Sequence, residues 1–139
     1  MKLKQSHLAA ELGVSEMSIS RWVRALGREG RMTESDALLL LMVAELMTLG
    51  FASTVAVETL CEFQCEARYV AGRGRPVWLT FFTAKGGEAR MAALSERHLS
   101  SIVAAFGLCA VIDLREVADR ARERLERLKT SINNQKEAA

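Results

Sequence analysis

Residues 8–22 read LAAELGVSEMSISRW and hold two short helical patterns separated by one glycine. The apolar residues of the first half have the spacing of a helix with one buried face, which we predict over residues 5–12. Gly13 favours the left-handed conformation that ends a helix, and Ser15 is a typical N-cap for a second helix over residues 16–26. We therefore predict two short helices that meet at a tight turn.

The same stretch resembles the helix-turn-helix of bacterial and phage DNA-binding proteins. In that motif Ala9 is small where the helices cross, and a set of apolar residues clamps them together: Leu8, Leu12, Val14, Ile19 and Trp22. The resemblance implies that the second helix enters the major groove, where Arg21 is the best candidate for a guanine contact. The residues it implies for DNA binding are Ser15, Glu16, Met17, Ser20, Arg21, Arg24, Arg28 and Arg31.

The resemblance extends more loosely over residues 3–65. RMTESD at 31–36 and ELMTLGF at 45–51 are similar to the region after the recognition helix of MerR-type winged-helix regulators. This similarity implies a short basic wing over residues 27–32. Thr33 then caps a helix that runs to about Leu49, and its apolar residues go all round it, so that we expect it to be covered on more than one side.

The second half of the chain predicts a small α+β part. After a helix over residues 54–64, β-branched and aromatic residues favour a β-hairpin. Its strands are predicted at 67–71 and 77–82, joined by a loop over 72–76. Further along we expect a turn at 85–87, a helix over 95–106, a strand over 108–112 and an amphipathic helix from Leu114 to about Lys129 that Asp113 caps.

The loop sequence Arg73-Gly74-Arg75-Pro76 resembles the core of an AT-hook, in which two arginines enter a narrow minor groove. The resemblance implies a second DNA contact by Arg73 and Arg75. A solvated turn built from glycine and proline explains the same residues, and both interpretations stay open.

Charge and composition limit the class of protein. Residues 1–32 carry six Lys or Arg against three acids, residues 33–67 carry six acids with no Lys or Arg, and residues 68–90 carry five basic residues and one acid. Two basic segments thus flank an acidic, apolar middle, an arrangement that suits contact with a polyanion.

No apolar run reaches the roughly 18 residues of a membrane span. Without an export signal at the start, the three cysteines favour reduced thiols in the cytoplasm.

No catalytic arrangement stands out, and we expect a protein that is not an enzyme and needs no cofactor. Cys61 and Cys65 would share one face of the predicted helix over 54–64 and its continuation, but zinc needs further ligands. We therefore expect buried or half-buried thiols and no metal site.

Together these patterns predict a mainly α protein with a small β-hairpin (α+β). Residues 1–65 would form a winged helix-turn-helix, residues 66–130 a lobe for self-association, and residues 131–139 a flexible tail.

The predicted function is a transcriptional regulator that binds double-stranded DNA as a homodimer in the cytoplasm, associated with the nucleoid when bound. Candidate dimer surfaces are the apolar residues of 38–47 and of 114–128. Three alternatives stay open: a DNA-packaging protein resembling small terminase subunits of phages, an antitoxin or adaptor whose C-terminal lobe binds a partner protein, and a small-molecule sensor with its ligand held between the hairpin and the helices.

Overall fold

A computed structural model describes residues 3–27 and 32–138 of the chain. The described part is mainly α-helical with one small antiparallel sheet, which confirms the predicted fold class. In chain order the elements are α1 (Gln5–Leu12), α2 (Glu16–Ala25), α3 (Glu34–Thr48), α4 (Ser53–Glu62), α5 (Gln64–Ala71), β1 (Trp78–Ala84), β2 (Gly87–Ala93), α6 (Glu96–Phe106), β3 (Cys109–Asp113) and α7 (Leu114–Ala138).

Helix α3 forms the centre of the molecule. Thr33 caps it, as the sequence predicts, and the cap is a capping box in which Asp36 accepts a hydrogen bond from the Thr33 amide. Residues 39–43 are all buried, because α7 packs along one side of α3 and the helices α1, α2, α4 and α5 pack on the others. The expectation that this helix is covered on more than one side is confirmed.

The apolar residues of α3 and α7 bury each other, which overturns one prediction. Leu39, Leu41 and Leu46 of α3 belong to the same core as Leu114, Val117 and Leu125 of α7. The surfaces at 38–47 and 114–128 are thus taken up within one chain, and they are not available as dimer interfaces.

The sheet has the order β2-β1-β3, and both pairings are antiparallel. One of its faces, with Leu79 and Phe81, packs against the main core. The other face packs against α6 through a smaller cluster that contains Phe82, Ala93 and Ile102. The predicted turn at 85–87, the helix over 95–106 and the strand over 108–112 are all present, with shifts of one or two residues.

The predicted hairpin is wrong in its first strand. Residues 67–71 lie in α5, because Ala67 and Val70 are three apart and are both buried on the face that packs against α7. The actual hairpin partner of β1 is β2, in which Arg90 pairs with Phe81. Its sequence, GEARMAA, is rich in helix-favouring residues and gave no strand signal.

Two predicted boundaries also differ from the structure. Helix α7 does not end near Lys129 but continues to Ala138, through the segment predicted as a flexible tail, and Ile132 in that segment is buried. The domain boundary expected at residue 65 lies inside α5, and the main core draws on residues from both sides of it.

Among the described residues, no helix combines the length and the apolar character that crossing a bilayer requires.

Candidate nucleic-acid interface

The turn between α1 and α2 has the geometry that the sequence predicts. Gly13 has φ +65°, in the left-handed region, so it ends α1 without the strain that a side chain would bring. The amide of Gly13 donates to the carbonyl oxygen of Ala10 at 3.3 Å, and that of Val14 donates to Ala9 at 3.0 Å. These two bonds satisfy two of the last four carbonyls of α1 and fix the direction in which the chain enters α2.

The apolar clamp is also present. Leu8 and Ile19 are fully buried, and Leu12, Val14 and Trp22 are half-buried and packed against the same core. Ser15 caps α2, since its hydroxyl accepts a hydrogen bond from the Ser18 amide at 3.1 Å. Packing on one face of α2 therefore fixes which residues its opposite face presents.

The opposite face of α2 is polar and open to solvent. Met17, Arg21 and Arg24 are exposed, and their spacing of four and three residues places them on one stripe of the helix. The Arg21 guanidinium lies over Met17, with Nη2 3.3 Å from Sδ. Glu16 is exposed at the N-terminus of this face and Ser20 is half-buried beside it. Arg28 and Arg31, with most of the predicted wing, lie outside the described residues.

Side chains from distant parts of the sequence connect α1 and α2, together called the two-helix unit, to the core. The Cys61 thiol donates to the carbonyl oxygen of Ala25 at 3.2 Å, and Gln64 Nε2 donates to that of Leu26 at 2.9 Å, so that two carbonyls at the C-terminal end of α2 are satisfied. Burial, together with the Glu58 carboxylate, raises the pKa of Cys61. Sequence reasoning missed these positioning residues, because no local pattern marks a contact made across the fold.

Arg124 holds the other helix of the unit. Its Nε donates to Glu11 Oε1 at 2.8 Å and its Nη2 to the Glu11 carbonyl oxygen at 3.3 Å, at the end of α1. Nη1 lies 3.6 Å from Glu45 Oε1 on α3. One guanidinium on α7 thus joins α1 to the central helix.

Arg73 and Arg75 are both exposed, but they do not lie at a hairpin tip. Their segment links α5 to β1 and begins as a helix C-cap, in which the Arg73 amide donates to Val70 and the Gly74 amide to Tyr69. A Cβ on residue 74 would lie 2.6 Å from the carbonyl oxygen and ring of Tyr69, which explains the glycine structurally. Arg73 itself has φ +65° and lines a surface hollow with Ser35 at the start of α3.

Cys61 and Cys65 are predicted to share one helix face. They lie in different helices, because the helical conformation is interrupted at Phe63. All three cysteines are free; Cys61 is half-buried, as predicted, but Cys65 is exposed, so the prediction of a buried or half-buried thiol is wrong for Cys65. Within the described ranges, no group of three or more His, Cys, Asp or Glu side chains is placed to hold a metal ion.

No protein-family model matches the chain, and a search of curated proteins found no significant match.

Proposed function

We propose that this protein is a sequence-specific DNA-binding transcriptional regulator that acts as a homodimer and reads the major groove with α2. The observation that carries the proposal is the outward stripe of Met17, Arg21 and Arg24 on a helix whose other face is locked into the core. A recognition helix needs both properties, because base contacts depend on a fixed orientation and on side chains that are free to reach base edges.

The distribution of ion pairs supports the same interface. Four acids of the acidic middle segment are paired with basic side chains from α5, β2 and α7: Glu34 with Lys129, Asp36 with Arg68, Glu45 with Arg124, and Glu62 with Arg90. Their negative charge is therefore largely offset within the chain. Lys4, Arg21 and Arg24 remain exposed on the two-helix unit, and they face solvent where a phosphate backbone could lie.

A homodimer follows from the energetics of such a unit. One good bidentate contact contributes roughly 1–3 kcal/mol of discrimination, and a single short helix makes only a few of them. Two copies on a symmetric site double the contacts, so that we expect half-sites about 10 base pairs apart. A role in the cytoplasm, associated with the nucleoid, is part of this proposal.

The test is selection of duplexes from a randomised library, followed by titration of the selected duplex with two variants. We expect Arg21→Ala to lower the affinity roughly 10- to 100-fold and to relax specificity at one base pair of each half-site. Arg97→Ala, which removes an exposed charge from α6, is the matched control and should leave the affinity unchanged. If no duplex is enriched, or if both variants bind equally well, the proposal is wrong.

Arg73 and Arg75 supply a second, separable part of the proposal. If they touch phosphate, the double variant Arg73→Ala/Arg75→Ala should reduce the slope of log affinity against log salt by roughly two. An unchanged slope would remove these residues from the interface and leave the role of α2 intact.

A further inference from the structure

Strand β3 is an edge of the sheet, and β1 is the only described element with which it makes extensive contact. The Leu114 amide donates to the Val77 carbonyl oxygen at 2.9 Å, which marks that pair as hydrogen-bonded. Because hydrogen-bonded pairs alternate along an antiparallel ladder, Ala110 and Ile112 turn their backbone groups towards β1. Cys109, Val111 and Asp113 therefore direct their amides and carbonyls outward.

The surroundings of this edge are apolar. Leu108 is 88% exposed, and Val111 is 42% exposed at the middle of the strand. Leu49 and Val55 lie beside it, in the two hollows that flank β3, and they are exposed as well. An uncovered edge with such residues is a surface on which another strand can pair.

The opposite edge of the sheet differs. Strand β2 carries Glu88 and Arg90, and charged side chains on an edge strand discourage pairing with another chain. In β3 the only charged residue is Asp113, at its end, and the strand contains no proline. Charged side chains thus protect the β2 edge against pairing with another chain, and the β3 edge lacks this protection.

We propose that β3 pairs antiparallel with β3 of a second copy of this chain, about a two-fold axis at Val111, to form a six-stranded sheet. This register sets Val111 opposite the partner's Val111, and Cys109 opposite the partner's Asp113. It is the register that engages every outward-facing residue of the strand. The inference rests on the proposed function, because a homodimer that binds a symmetric DNA site needs a second copy of the chain. Strand β3 would supply the dimer interface that the buried apolar faces of α3 and α7 cannot.

The charges next to β3 suit a symmetric interface. Such an interface uses the same patch twice, so the patch must be complementary to itself. Glu116 and Arg120 line the hollow beside Val111 and form an ion pair of 3.1 Å, and Asp113 in the same hollow accepts hydrogen bonds from the amides of Arg115 and Glu116. Glu45 in the same hollow is already paired with Arg124.

The first test is sedimentation velocity of the full chain without DNA at micromolar concentration. Val111 and Met91 flank Thr80 in the same row of the sheet, and their exposed fractions are close, 42% and 39%. They therefore give a matched pair. Val111→Lys would set two ammonium groups against each other at the axis, and we expect the dimer dissociation constant to rise at least about tenfold. Met91→Lys, on the other edge, should leave it unchanged.

A monomeric wild-type chain, a Val111→Lys variant that remains dimeric, or equal losses in both variants would overturn the proposal. Thermal unfolding of both variants shows whether each has kept its fold. Since no DNA is present, a failure here leaves the recognition role of α2 to be judged separately.

The second test is cross-linking, which does not depend on disrupting the sheet. In a background with Cys61→Ser, Cys65→Ser and Cys109→Ala, Val111→Cys would face the partner's Cys at a Cα separation of about 5.5 Å, within the range of a disulfide. We expect a covalent dimer under mild oxidation with Val111→Cys, and none with Met91→Cys. Absence of the Val111→Cys dimer, or equal cross-linking at both positions, would refute the register.

Discussion

Replacement of Arg124 by alanine tests whether α7 holds the two-helix unit in place. The guanidinium makes two hydrogen bonds to Glu11 and lies 3.6 Å from the Glu45 carboxylate. Its side chain is 23% exposed. We therefore expect the loss of stability on removing these contacts to lie between that of a surface ion pair, at about 0–1 kcal/mol, and that of a buried one, at about 3–5 kcal/mol. The cation also stabilises the C-terminal end of α1, where the carbonyls carry partial negative charge.

We expect Arg124→Ala to lower the free energy of unfolding by about 2–3 kcal/mol. About 1 kcal/mol comes from the lost pair with Glu11, and the rest from leaving the largely buried Glu45 carboxylate without a cation. For a chain of this size the melting temperature should fall by roughly 6–12 °C. The measurement is urea unfolding followed by circular dichroism, with Arg127→Ala as the control, because Arg127 is an exposed arginine on the same helix.

A double-mutant cycle with Glu11→Gln isolates the pair itself and should give a coupling energy of about 1 kcal/mol. A loss below about 0.5 kcal/mol in Arg124→Ala, within the range of ordinary surface substitutions, would refute the reasoning. So would a loss no larger than that of Arg127→Ala.

Two further predictions concern the link after α5 and the thiols. Arg73→Gly should raise the free energy of unfolding by about 0.5–1 kcal/mol, since glycine adopts φ +65° without steric cost, although it loses more entropy on folding. A thermal melt checks this, and a lower melting temperature would contradict it. In alkylation followed by mass spectrometry, Cys65 should react before Cys61, because Cys65 is exposed while the Cys61 thiol is half-buried, bonded to Ala25 and raised in pKa by burial and Glu58. Faster labelling of Cys61 would count against this account of α2's C-terminal end.

Local chemistry explains why the N-terminal unit was predictable. The turn at Gly13, the cap at Ser15 and the burial of Ile19 depend on residues within a few positions of one another. The capping box at Thr33 and the cap at Asp113, whose Oδ1 accepts from the amides of Arg115 and Glu116, are local in the same way. Such signals remain readable in a sequence because their partners are close along the chain.

The errors lie where packing against another helix or pairing with another strand outweighs the local composition. Residues 67–71 have the composition of a strand, yet packing against α7 makes them helical, and β2 has the composition of a helix, yet pairing with β1 makes it a strand. In each case the free energy of burial and pairing exceeds intrinsic propensities that differ by less than about 1 kcal/mol per residue.

By itself, the sequence determined the fold class, the two-helix unit and the outward stripe of α2, because helix periodicity and caps are properties of neighbouring residues. Only the tertiary structure decided that Arg124 joins α1 to α3, that α3 and α7 bury each other's apolar faces, and that β3 is an edge strand with little contact to the described elements other than β1. Those three outcomes arise from contacts between segments far apart in the chain, and the pattern of any one segment does not specify which other segment it will meet.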